Sequence, residues 1–212
     1  MQFLIRKNFL LVILILFLLI FIGCGSVPII TNGKVLKSGK TNSNLYVTVG
    51  VQIYEKAGRP WIPYYLDGGA RWRIGLFDWI EIGGGLNLIA PGIGVDTKIA
   101  LLKLEQDHIA IDFNVKATLS YFDYGGCLLY TRDLSDTAAL NFSAGFIRTI
   151  GGFDFDGFAI RPDKADFIFF TIYYSWFNST NNASPGIGIV LIKEVTKYQS
   201  CYLMPFVVVC NF

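Results

Sequence analysis

From residue 45 onward, apolar and polar side chains alternate with a period of two. Ile109–Tyr121 is the clearest case. Ile109, Ile111, Phe113, Val115, Ala117, Leu119 and Tyr121 fall on one side, and Asp112, Asn114, Lys116, Thr118 and Ser120 on the other. Successive side chains leave opposite faces of a strand, so the segment predicts a strand with one greasy and one wet face. Leu45–Tyr54, Tyr64–Gly75, Ile80–Ala90 and Val95–Leu101 follow the same rule. Cys127–Arg132, Leu140–Ile147, Phe167–Phe177 and Ile187–Glu194 also read as strands, although their wetter faces still carry apolar residues, and Tyr202–Phe212 ends the chain. No stretch of helical length sustains a 3.6-residue period. The pattern predicts an all-β domain over residues 45–212, a single antiparallel up-and-down transmembrane β-barrel. The strand count is about ten, with eight as the alternative.

Alternation alone fits a soluble ligand-binding barrel as well as a membrane one. Charge separates the two. Asp67, Arg71, Arg73, Glu81, Asp96, Lys98, Asp112 and Lys116 all fall on one face of the first five strands. The opposite faces carry Tyr64, Trp72, Phe113 and Tyr121 and no charge. Those rings would crowd a small lumen but would sit comfortably in lipid. Turned inward, four acids and four bases neutralise one another, as a low-dielectric interior demands. The expected lumen is therefore plugged rather than open. Aromatics also gather at two levels, as interface girdles do. Tyr54, Trp61, Tyr64, Tyr65, Tyr121, Phe122 and Tyr124 fall at one rim, and Phe77, Trp79, Trp176, Phe177 and Phe212 at the other.

Composition adds the leader. Arg6 and Lys7 precede an unbroken apolar run from Phe9 to Ile22, followed by Gly23-Cys24-Gly25-Ser26. That layout predicts an export signal over residues 1–23, too short for a spanning helix. Two processing routes fit: lipidation of Cys24 at a relaxed lipobox, or signal-peptidase cleavage after Gly25. Residues 24–44, rich in Gly, Ser, Asn, Thr and Lys, read as a flexible tether. Loss of Arg6 and Lys7 leaves the mature chain close to neutral, which gives no electrostatic case for a nucleic-acid partner. The spacing of Cys127, Cys201 and Cys210 fits no zinc template, and no disulfide is expected among them.

The alternate positions Tyr202, Met204, Phe206, Val208, Cys210 and Phe212 resemble the C-terminal signature of bacterial outer-membrane barrels. The resemblance implies that Phe206, Val208, Cys210 and Phe212 face lipid and are read by the barrel-assembly machinery. It leaves Leu203, Pro205, Val207 and Val209 inward, and Pro205 would need a bulge or edge. The relaxed lipobox and small barrel resemble those of spirochaetes.

Little in the chain suggests chemistry. Barrel enzymes that resemble lipid A deacylases or omptin-type proteases would need His with Ser or Asp at the outer rim. The only histidine, His108, falls in an expected periplasmic turn, Glu105–His108. Asp154-Phe155-Asp156-Gly157 lacks the later ligands of a calcium loop. Gly83-Gly84-Gly85 lacks the residues of a phosphate cradle and reads as room for neighbouring aromatics or curvature. No catalytic residue, metal or cofactor is expected. Expected outer loops are Glu55–Pro63, Pro91–Gly94, Asp123–Gly126, Gly151–Lys164 and Thr196–Ser200. The fourth carries Phe153, Phe155, Phe158 and Ile160, a candidate surface for an extracellular or host macromolecule. The sequence thus predicts a non-enzymatic outer-membrane surface protein in contact with outer-membrane lipid. The alternatives are a narrow channel or apolar-ligand carrier lined by Val190, Ile192, Leu203, Val207 and Val209, and a periplasmic lipoprotein with a soluble barrel.

Overall fold

The computed structural model describes residues 32–54, 64–87, 91–118, 122–150, 164–176, 183–196 and 201–211. Ten strands run in chain order: β1 (Thr41–Tyr54), β2 (Tyr64–Phe77), β3 (Ile80–Asn87), β4 (Gly92–Lys103), β5 (Asp107–Thr118), β6 (Phe122–Ser135), β7 (Ala138–Ile150), β8 (Lys164–Trp176), β9 (Ala183–Glu194) and β10 (Cys201–Asn211). Each pairs antiparallel with its sequence neighbours, and β1 pairs with β10 to close the barrel. The ten-strand expectation is met.

The faces of the first strands are as the alternation requires. Asn44, Tyr46 and Thr48 are buried in the lumen while Leu45, Val47 and Val49 are exposed. On β2, Arg71 and Arg73 point inward, and Trp72 and Ile74 outward. Large apolar side chains remain exposed all round the barrel, among them Ile93, Val95, Phe113, Leu128, Phe146, Ile168, Phe170, Ile187 and Ile189. A closed barrel leaves no edge and pairs its backbone internally, so an apolar exterior of this kind suits lipid. The rings near the short turns stack in pairs, Phe77 with Trp79 and Tyr174 with Trp176, both at 5.9 Å between centroids.

Three short connections, at Asp78–Trp79, Leu104–Gln106 and Asp136–Thr137, lie at one end. Register shifts lie next to each of them, at Gly75/Phe77, Ala100/Leu102 and Asp133/Ser135. An extra residue there re-aims the strand end. This is why Leu101 and Leu102 are both exposed although they are neighbours.

Five expectations need correction. Asp123–Gly126 is not a loop but lies in β6, opposite Lys116–Phe113 on one side and Thr149–Phe146 on the other. Gly92–Gly94 likewise belongs to β4. Residues 41–44 of the expected tether are already strand β1, and residues 32–40 are packed into the barrel mouth. His108 is the second residue of β5 rather than standing in a turn, half-buried with Nε2 3.3 Å from Asp133 Oδ2.

The fifth concerns β10, whose faces at Leu203, Pro205 and Phe206 are reversed from the expectation. Phe206 is buried in the lumen against Tyr173, with ring centroids 5.7 Å apart, and Leu203 and Pro205 are exposed. Packing against the rings inside decides the matter, because both faces of this strand are apolar. Pro205 sits where the β1–β10 pairing lapses between Thr48–Phe206 and Val51–Leu203, so its missing donor costs no ladder bond there. Val207, Val208, Val209 and Cys210 have described backbone only. Phe212, Phe153, Phe155, Phe158, Ile160 and Cys24 lie outside the described residues, as do the loops 55–63, 151–163 and 197–200.

Candidate functional site

The ten strands enclose a lumen whose two halves differ in chemistry. Strands β2 to β5 contribute charge. Arg73, 4% exposed, reaches across the β2–β5 wall to Glu81, Asp96 and Asp112 at once, with Nη2 2.8 Å from Asp112 Oδ2. The planar guanidinium offers several donors in a fixed fork, which lets one side chain serve three carboxylates. Lys98 Nζ lies 2.7 Å from Glu81 Oε1 and joins the same layer. Arg71, one inward position closer to the outer end, lies over the Tyr46 ring, with the guanidinium carbon 5.2 Å from the centroid. The Tyr46 hydroxyl in turn donates to Asn87 Oδ1 at 3.0 Å. Lys116 borders a small cavity of about 30 Å3 with Arg71, Asp96, Asn114 and Asp123. Of the eight expected lumen charges, the structure brings five into one contiguous ion-pair cluster and places Arg71 and Lys116 beside it. The Asp67 side chain lies outside the described residues.

Glycines make this crowding feasible. A Cβ on Gly83 would sit 2.5 Å from Asp96 Oδ1, and one on Gly85 would sit 3.0 Å from Arg71 Cγ. Both positions face the lumen, so the run Gly83-Gly84-Gly85 gives room to charged side chains. Gly84 faces outward and gives room to an aromatic, since its Cβ would lie 3.0 Å from Trp72 Nε1.

Strands β8 to β10 contribute the other half, in which Phe167, Phe169, Tyr173, Val190, Ile192 and Phe206 are buried together with Leu129 of β6. Val190 and Ile192 thus line the lumen as expected for the later strands, whereas Leu203 does not. Between the halves runs a polar seam: Thr131 Oγ1 donates to Asn141 Oδ1 at 2.7 Å, and Asn141 Nδ2 donates to Ser175 Oγ at 2.9 Å. Toward the outer end, Thr149 donates to Asp123 at 2.6 Å. Sequence reasoning missed Asp123, Thr131 and Asn141, though each falls on the alternate positions of its strand. The signal was present but masked by apolar neighbours on the same face.

At the short-turn end the lumen opens into a vestibule of about 910 Å3, lined in part by Asn42, Asn44, Asn141 and Ser175. Residues 32–40 run along it as a strap, of which Asn32, Lys34–Lys37 and Lys40 form part of the wall. Cys127 is buried and Cys201 half-buried, and both are free thiols. No group of three or more His, Cys, Asp or Glu among the described residues is placed to hold a metal ion.

No protein-family model and no curated protein matches the sequence. Several solved structures superpose on this chain. An outer membrane channel from Pseudomonas putida F1 superposes with a TM-score of 0.53 at 8% identity, covering 88% of this chain and 99% of that one. The NanC porin gives 0.46 at 10% identity over 79% and 99% of the two chains. The outer membrane protein OprG from Pseudomonas aeruginosa gives 0.40 at 10% identity over 85% and 96%. The chain therefore has the fold of a bacterial outer-membrane β-barrel.

Proposed function

We propose that this protein is a non-enzymatic, integral outer-membrane surface protein with a closed lumen, acting structurally or by docking a partner through its outer loops. The observation that carries the reading is the Arg73–Glu81–Asp96–Asp112–Lys98 layer. It is nearly inaccessible to water, its two cations pair directly with its three carboxylates, and it stands beside a half-lumen filled by aromatic and aliphatic side chains. A conduit for solutes would need those groups apart and hydrated. An exterior of exposed Val, Ile, Leu, Phe and Trp favours a lipid environment over the soluble periplasmic alternative. In this reading Cys24 carries the lipid, and Phe212 with Cys210 and Val208 is recognised during assembly. Phe153, Phe155, Phe158 and Ile160 supply the partner surface.

Protease treatment of intact cells tests this directly. Cleavage confined to residues 151–164, with the barrel protected, is the expected result. Cleavage only after permeabilisation would place that loop on the wrong side and refute the reading. A second reading, a narrow channel or apolar-ligand carrier, is favoured by the vestibule and by the channel named above with the same fold. Single-channel recording separates the two.

A further inference from the structure

The strap is held in an unusual way. Four of its contacts with the wall run from lumen side chains to its main chain, and they span only five residues. Gly33 N–H donates to Thr131 Oγ1 at 2.8 Å, and Leu36 N–H donates to Glu81 Oε2 at 2.8 Å. Lys98 Nζ donates to the carbonyl oxygens of Asn32 at 3.1 Å and Lys34 at 2.7 Å. Contacts of this kind read an extended backbone rather than a particular side chain. Three further features set a sequence preference. A Cβ on Gly33 would lie 2.7 Å from the His108 carbonyl oxygen, so only glycine fits there. Lys34 pairs with Asp133 at 2.6 Å, and Val35 packs on the buried apolar cluster.

The wall does not depend on the strap. With the strap removed, Glu81 keeps Arg73 and Lys98, Lys98 keeps Glu81, and Thr131 keeps Asn141. The vestibule beside it admits water to the vacated positions. The strap joins β1 through a turn at Ser38–Gly39, where Gly39 has φ of 74° and Lys40 N–H donates to the Lys37 carbonyl at 3.0 Å. Such a glycine can absorb a change of direction without moving the strand.

We propose that this wall is a peptide-binding site, filled in cis by residues 32–40. Its ligand class is an extended peptide with a glycine, then a cation, then an apolar residue. When the strap withdraws, the same groups engage such a peptide in trans.

The test uses the full chain folded in detergent micelles. Gly33→Val forces the strap off its wall, because the atom it strikes is backbone, while every strand keeps its sequence. Trypsin should then cut after Lys34 and Lys37 at least about tenfold faster than in the parent chain, since a tied segment must open before cleavage. A synthetic peptide of residues 32–40 should bind this variant. The same peptide carrying Gly33→Val should bind at least about tenfold more weakly. An unchanged denaturation midpoint of the barrel checks that the fold survives. Equal trypsin rates in parent and variant would overturn the proposal. So would a freed strap with no peptide binding, or equal binding of the two peptides.

Discussion

Arg73→Met is the sharpest test of the lumen network. The substitution keeps volume and flexibility but removes the one group shared by Glu81, Asp96 and Asp112. Lys98 remains with Glu81, but Asp112, 0% exposed, loses its only ion pair among the described residues. Stranding a buried charge by deleting its partner costs about 3–5 kcal/mol. Because the layer holds more than one carboxylate, we expect the upper part of that range. A built-in control is Arg148, which grips Asp166 with two bonds of 2.5 and 2.8 Å yet is exposed near the outer end of β7. Removing it should cost far less than removing Arg73, because exposed pairs are screened and lose entropy on ordering. Urea unfolding of both variants in lipid vesicles measures the difference. A loss below about 1 kcal/mol for Arg73→Met, with an unchanged slope, would refute the paired-layer argument. It would mean that water already solvates those carboxylates.

Other expectations follow from the same geometry. Phe113→Arg places a charge on the lipid face mid-strand and should destabilise the protein in bilayers by roughly 2–4 kcal/mol, with a smaller effect in detergent; equal effects in both would argue against a spanning β5. Phe206→Ala should cost about 3–5 kcal/mol and Leu203→Ala distinctly less, because the first empties a packed lumen position and the second faces lipid; the reverse order would restore the sequence-based phase of β10. Gly83→Val drives a side chain into the Asp96 carboxylate and should lower the thermal midpoint by an amount equivalent to about 1–3 kcal/mol. In single-cysteine variants, Cys127 should resist maleimide until the barrel unfolds, and Cys201 should react in the native state.

How much of this the sequence discloses depends on contrast between faces. On β2 to β5 the mid-strand charges sit on one face, so Arg73 or Asp112 fixes both phase and direction at a glance. On β8 to β10 the contrast vanishes. Phe169 and Phe170 are both aromatic, one inside and one outside, and only packing against Leu129, Val190 and Tyr173 distinguishes them. For the same reason the sequence does not disclose that Phe206 faces inward. Asp123–Gly126 has turn composition, but its glycines serve close approach between strands: a Cβ on Gly125 would lie 2.1 Å from the Phe146 carbonyl oxygen. The strap looks like a tether because nothing local orders it. Its partners Glu81, Lys98 and Thr131 are 45 to 98 residues away, and no periodicity within residues 32–40 points to them.

The closed lumen is the central claim, and single-channel recording in planar bilayers reaches it most directly. The account predicts that the purified, refolded protein inserts without stable conductance steps, because the Arg73 layer and the Phe169–Tyr173–Phe206 half close the bore together. Large, long-lived openings from the unmodified chain would contradict it.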